Sequence, residues 1–172
     1  MTITAKALIS TWGKYNAGSL KGLEVDLTDY TDLDEVWEAA RKFHSDEHDP
    51  EFFISNYECD IEGAIEESGI AEEIFEILDM DEWEQEICAA FSQLCSYDME
   101  TIVNDARERH AGTADTCADF CERNMEEISG IDFCELYRQG VVIDWQATWD
   151  RNEKYNFESV RHNGDLHFFR NA

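Results

Sequence analysis

Residues 43–106 carry 20 Asp or Glu side chains and not one Lys or Arg. A stretch this acidic folds only if apolar side chains hold the like charges together. Those side chains are present at helical spacing. Ile70, Ile74, Ile77 and Leu78 mark one packed face, and Trp83, Ile87, Ala90, Phe91 and Leu94 mark the next.

The acids are Asp46, Glu47, Asp49, Glu51, Glu58, Asp60, Glu62, Glu66, Glu67, Glu72, Glu73, Glu76, Asp79, Asp81, Glu82, Glu84, Glu86, Asp98, Glu100 and Asp105. On a helix, like charges three or four residues apart destabilise by about 0.2–0.5 kcal/mol per pair. Read as helix throughout, the segment holds seven such pairs: Glu62/Glu66, Glu72/Glu76, Glu82/Glu86, Glu73/Glu76, Glu76/Asp79, Asp79/Glu82 and Asp81/Glu84. Together they would cost roughly 1.5–3.5 kcal/mol, a sizeable fraction of a small domain's stability. A role other than stability keeps them.

The rest of the composition is that of a folding chain. Of 172 residues, 43% are hydrophobic and 12% aromatic, and Pro50 is the single proline. A net charge of −27 disfavours direct contact with DNA, RNA or an anionic membrane and points to basic surfaces or cations as partners. The N-terminus lacks a basic segment leading into a long apolar run, and no stretch nears the roughly 18 apolar residues of a membrane span, so a soluble cytoplasmic protein is expected. Six cysteines (Cys59, Cys88, Cys95, Cys117, Cys121, Cys134) read as free thiols. Cys88 and Cys95, seven apart, and Cys117 and Cys121, four apart, have the spacing of side chains buried on one helix face, while a zinc knuckle would want a closer Cys pair or matching His.

The patterns predict an α+β fold with three parts: an N-terminal α/β unit over 1–60, an acidic helical module over 61–106 and a C-terminal α/β unit over 107–172. In the first, strands over 3–12 and 23–27 flank the glycine-bearing loop WGKYNAGSLKG, a helix follows with the stripe Leu33, Val36, Trp37, Ala40 and Phe43, and 52–59 is a third strand. The module contains helices over 61–68, 71–80, 81–94 and 98–110. The last part has helices over 113–128 and 131–138, an ambiguous segment over 141–151, and strands over 155–160 and 166–170 around the Asn163-Gly164 hairpin turn.

No catalytic or cofactor chemistry stands out. The loop glycines match neither GxGxxG nor GxxxxGK followed by Ser or Thr. With 40 acids, paired carboxylates arise by chance, and no Ser or Cys nucleophile stands beside a recognisable base. His44 and His48 flank Asp46 at a metal-like spacing but read as a polar loop beside Pro50, and His162 and His167 read as exposed around the turn. Asp79, Asp81 and Glu84 approach the start of a calcium loop, yet its sixth position lacks Gly and the segment reads as a helix with Trp83 packed inward. No metal ligand is assigned. A halophilic acidic domain, or an acidic module for some other basic protein, remains an alternative. Salt adaptation, however, spreads acids evenly, whereas here the bases cluster towards both ends.

Three stretches resemble the ArdA antirestriction proteins. GKYNAGSLKG, beginning at Gly13, resembles the family's opening YNxGxLxG signature; ISNYE, beginning at Ile54, its hydrophobic-x-(D/N)-Y-E element; and IDWQATWDR, beginning at Ile143, its IDYxAxxRD element. The resemblance implies an elongated homodimer that mimics bent B-form DNA and occupies the DNA-binding cleft of type I restriction-modification enzymes, serving a mobile genetic element in the bacterial cytoplasm. The 20 acids are then the DNA-mimic surface, and the methyltransferase core is the partner. For self-association the apolar residues Phe133, Leu136, Tyr137, Val141 and Val142 are expected to form a two-fold contact. At one charge per roughly 1.7 Å of duplex axis, a net −27 corresponds to about 46 Å of B-DNA.

Overall fold

In the computed structural model, which describes residues 3–94 and 97–171, the chain divides into two compact units, Met1–Asp105 and Ala106–Ala172. The fold is α+β, with small antiparallel sheets and eight α-helices among the described residues.

In the first unit, β1 (Ala5–Thr11) lies between β2 (Leu23–Asp26) and β3 (Phe52–Cys59), all antiparallel. Alternation places Ala5, Ala7 and Ile9 inside, and a bulge between Leu8 and Ile9 shifts the register against Asn56 and Ile54. The loop after β1 opens as a helical turn, α1 (Trp12–Asn16), because Thr11 Oγ1 accepts from the Lys14 amide at 3.3 Å. Its later glycines are structural. Gly18 sits at φ +78°, and a Cβ on Gly22 would lie 2.7 Å from Ser10 Oγ and 3.0 Å from the Ile9 carbonyl oxygen.

Helix α2 (Leu33–Phe43) contains the whole of its predicted apolar stripe. Asp32 caps it by accepting from the Glu35 amide at 2.9 Å, Glu35 reaches back to the Thr31 amide at 2.9 Å, and Arg41 and Lys42 occupy the last turn.

Past β3 the structure departs from the predicted helix over 61–68. Instead β4 (Ile65–Glu66) pairs with β5 (Gly69–Ile70) in a tight hairpin. Ile61 and Ile65 have helical spacing, but Gly63 at φ +83° interrupts the helix, and the Ile54 amide bonds to the Glu67 carbonyl at 3.0 Å, drawing the hairpin to β3. Three helices follow: α3 (Ile74–Leu78), α4 (Glu82–Ser92) and α5 (Met99–Arg109). The core collects Ile61, Ile65, Ile70, Ile74, Ile77, Ile87 and Phe91. Ser92 Oγ accepts from the Glu62 amide at 3.0 Å, which ties α4 to the segment before the hairpin. The unit boundary falls inside α5.

In the second unit, β8 (Asp165–Arg170) lies between β6 (His110–Ala114) and β7 (Phe157–His162). The helix predicted from 113 begins later, as α6 (Cys117–Ser129), because Thr113 and Ala114 pair with His167 and Leu166 in the sheet and Thr116 supplies the cap. Helix α7 (Phe133–Arg138) ends at Gly140, φ +85°, with the Val141 amide returning to the Leu136 carbonyl at 3.0 Å. The ambiguous segment forms α8 (Trp145–Arg151). Asn163 (φ 48°) and Gly164 (φ 98°) make the hairpin turn. The core is aromatic: Phe120 stacks on Phe168 at 3.8 Å between ring centres, and Trp149 meets Phe168 edge-on at 5.4 Å.

Gly22→Ala tests the loop packing. The added methyl meets backbone as well as the Ser10 hydroxyl, so the variant should lose about 1–3 kcal/mol. A urea denaturation curve checks it, with the midpoint falling at unchanged slope.

Candidate acidic recognition surface

None of the 20 acids is buried. Fifteen are exposed, and Glu47, Glu73, Glu84, Glu86 and Asp105 are half-buried. All 20 belong to the first unit, which carries 27 acids against 5 bases, whereas the second carries 13 against 8. The net charge is therefore −22 in the first unit and −5 in the second.

The backbone reduces the helical repulsion that the sequence pattern implies. Glu62 and Glu66 are not on a helix at all, and Asp79 and Glu82 lie on either side of the break between α3 and α4. Only Glu82 and Glu86 lie together inside one regular helix; the other pairs involve helix ends. The turns around the acids dilute a cost that a single long helix would concentrate.

Several acids also serve the fold. Asp81 caps α4, accepting from the Trp83 and Glu84 amides at 3.0 and 2.9 Å, a position where the helix dipole favours negative charge. Asp60 accepts from the Thr4 amide at 2.7 Å. Asp98 accepts from the Thr101 amide at 2.8 Å, and its hydrogen bonding to Thr101 lowers its pKa below the usual carboxylate value. Among the described residues, no Lys or Arg lies within ion-pair distance of Asp49, Glu51, Glu58, Glu62, Glu66, Glu67, Glu72, Glu73, Glu76, Asp79, Glu100 or Asp105.

Asp46 and Glu47 differ. Lys14 Nζ donates to Asp46 Oδ1 at 2.7 Å, lies 3.4 Å from Glu47 Oε1, and contacts His44 Nδ1 at 2.9 Å. Thr11 Oγ1 donates to Glu47 Oε1 at 2.6 Å. The Lys14 hydrogen bond lowers the pKa of Asp46, and the same bond raises that of Lys14. His44, read as part of a polar loop, is fully buried at the end of α2, its Nε2 3.3 Å from the Ile9 carbonyl. With Nδ1 facing the ammonium, the ring accepts there and donates from Nε2. This network joins Lys14 to residues 30 and 32 positions away, so no local pattern announces it.

Other expectations need correction. Trp83 is 55% exposed rather than packed inward. Gln85 takes the buried position, its amide donating to the Leu78 and Met80 carbonyls at 3.0 Å each and closing the end of α3. His167 is buried, not exposed, and stands 5.5 Å from His110 between ring centres. Burial lowers the pKa of His110 to about 4, with His167 and Arg170 adding to the effect.

Cys88 and Cys121 are buried free thiols whose pKa burial raises to about 11; Cys117 is half-buried, and Cys95 lies outside the described residues. Phe133, read as an association residue, is buried with its ring 4.8 Å from that of Trp145. Leu136 is half-buried, and Tyr137, Val141 and Val142 are exposed. Tyr137 is held by two bonds, accepting from Trp145 Nε1 at 2.6 Å and donating to Glu122 at 2.5 Å.

A folded surface of solvated carboxylates, concentrated in one unit, is suited to binding cations or basic protein surfaces. Among the described residues no helix is long and apolar enough to cross a membrane. A comparison with protein families finds a match to the Antirestriction protein (ArdA) family over residues 7–163. The chain belongs to that family, and its class is that of an antirestriction protein. No curated protein and no solved structure matches it.

The Lys14 clamp gives a titration test. Because the folded pKa of Asp46 is depressed, the clamp's contribution is complete above the carboxyl's ordinary value of 3.8 and is lost as pH falls through the lower folded value. In Lys14→Met the Asp46 midpoint should rise towards that ordinary value, as read by NMR titration of its side-chain carboxyl carbon. An unchanged midpoint would remove Lys14 as the cause.

Proposed function

We propose that this antirestriction protein acts without catalysis, as a mimic of duplex DNA that occupies the DNA-binding cleft of a type I restriction-modification enzyme. The observation that carries the reading is the excess of 27 acids over 5 bases within Met1–Asp105, displayed on a folded unit with none of the 20 acids of residues 43–106 buried. Family membership supplies the context.

The magnitudes fit. At roughly 1.7 Å of duplex axis per charge, the first unit's −22 equals the charge on about 37 Å of B-DNA, or on the order of 11 base pairs, one helical turn. Lys and Arg side chains in a cleft that binds phosphates pair equally well with carboxylates by charge. Many weak contacts then share the affinity, and the long-range field speeds association. The chain acts in the cytoplasm of a bacterial host and pairs with a second copy. Exposed Tyr137, Val141 and Val142 offer the apolar contact with Leu136 beside them, and Phe133 supports the patch from within.

A competition assay between this protein and duplex DNA for a purified type I methyltransferase tests the proposal. The protein should displace duplex. Neutralising any one of Asp49, Glu51, Glu58, Glu62, Glu72, Glu76, Asp79 and Glu100 should change displacement little, whereas changing all eight together to their amides should abolish it. That set leaves intact Asp60, Asp81 and Asp98, which bond to backbone amides. Loss of displacement on any one of those eight substitutions alone would instead mark a coordinating or catalytic group.

A further inference from the structure

A cavity of about 500 Å³ opens on the first unit beside α1 and β3, lined by Trp12, Tyr15, Phe53, Tyr57 and Glu67 among others. We propose that this groove is a receptor for an arginine side chain of the basic partner, an anchor that duplex DNA does not offer; the identity of the partner rests on the function proposed above.

The groove's floor is an aromatic stack. Trp12 lies on Phe53 with ring centres 4.1 Å apart and planes 17° from parallel, and Tyr15 meets Phe53 edge-on at 5.6 Å. Tyr15 and Tyr57 are 51% and 50% exposed, so the chain leaves ring surface to water that it could have buried. Glu67, whose side chain is exposed, lines the same groove, and its backbone is fixed there because its carbonyl accepts from the Ile54 amide at 3.0 Å.

Three kinds of occupant can be weighed on their chemistry. An apolar side chain would cover the rings but strip water from the Glu67 carboxylate without replacing its hydrogen bonds, which is costly. An anion would enter against a unit of net charge −22. A guanidinium meets every demand: it is planar, weakly hydrated, stacks on an aromatic face, and donates two parallel hydrogen bonds to a carboxylate. An ammonium is compact and strongly hydrated, so lysine gains less there. A phosphate presents charge but no ring face. A side chain that reads phosphates in the cleft therefore finds in this groove both a carboxylate and a stacking platform.

The probes are N-acetyl-arginine amide and N-acetyl-lysine amide, titrated into the full chain while the Trp12 indole N–H is followed by NMR. The arginine probe should give a saturating shift at Trp12, and the lysine probe should bind several-fold more weakly. Tyr15→Ala and Glu67→Gln should each weaken arginine about three- to tenfold. Glu67→Gln keeps size and shape at an exposed position, so it decides the matter if Tyr15→Ala fails to fold. Equal response to both probes, or shifts spread over the acidic surface without saturation at Trp12, overturns the proposal. Glu67→Gln is also run in the methyltransferase competition. If the unaltered chain displaces duplex and Glu67→Gln displaces it equally well, the groove is excluded while the proposed function stands. If the unaltered chain fails to displace duplex, the proposed function falls, and with it the partner named here.

Discussion

Burial of a row of isoleucines is what makes the acidic surface possible. Ile61, Ile65, Ile74, Ile77 and Ile87 are each at most 2% exposed. Full burial of such a side chain is worth about 1.5–3 kcal/mol, against about 0.2–0.5 kcal/mol for one close like-charge pair on a helix. The apolar contribution wins at each turn of the chain, so the first unit can carry −22 and still fold. Short elements help further: acids placed in a hairpin and at the ends of α3 and α4 avoid the regular stacking of charge along one helix face.

The opening motif serves this scaffold. Lys14 reaches from α1 to Asp46 and Glu47 and rests against buried His44, so a base in the signature stretch fixes the loop after α2. Gly22 lets that stretch pass against Ser10 and the Ile9 carbonyl. Trp12 and Tyr15 contribute to an aromatic groove with β3 rather than to a phosphate cradle. One continuous string of residues thus supplies a clamp, a close approach and one wall of an aromatic groove.

Legibility in the sequence tracked how local the deciding forces are. Helix α2 and strand β3 are legible in the sequence because the residues that decide them lie within a few positions of one another. The Asn163-Gly164 turn was likewise self-announcing, since both residues tolerate positive φ. The hairpin of β4 and β5 is masked in the sequence because Ile61 and Ile65 mimic a helical stripe, which Gly63 and the bond from Ile54 to Glu67 override. Strand β6 escaped because its partner, β8, lies about 55 residues later. The exposure of the acids followed from charge alone, whereas the exposed Trp83, the buried His167 and the Lys14 network depend on contacts that no spacing encodes. The groove's aromatic residues were visible as letters, but their convergence with Glu67 required the fold.

Charge display on a folded unit is the central claim, and its most direct measure is the salt dependence of binding to a type I methyltransferase. If carboxylates replace phosphates in the cleft, the logarithm of the dissociation constant should rise steadily with the logarithm of salt concentration between about 50 and 200 mM, as it does for duplex DNA on the same enzyme. Affinity that stays constant across that range would contradict the account, because it would place the binding energy in contacts other than charge.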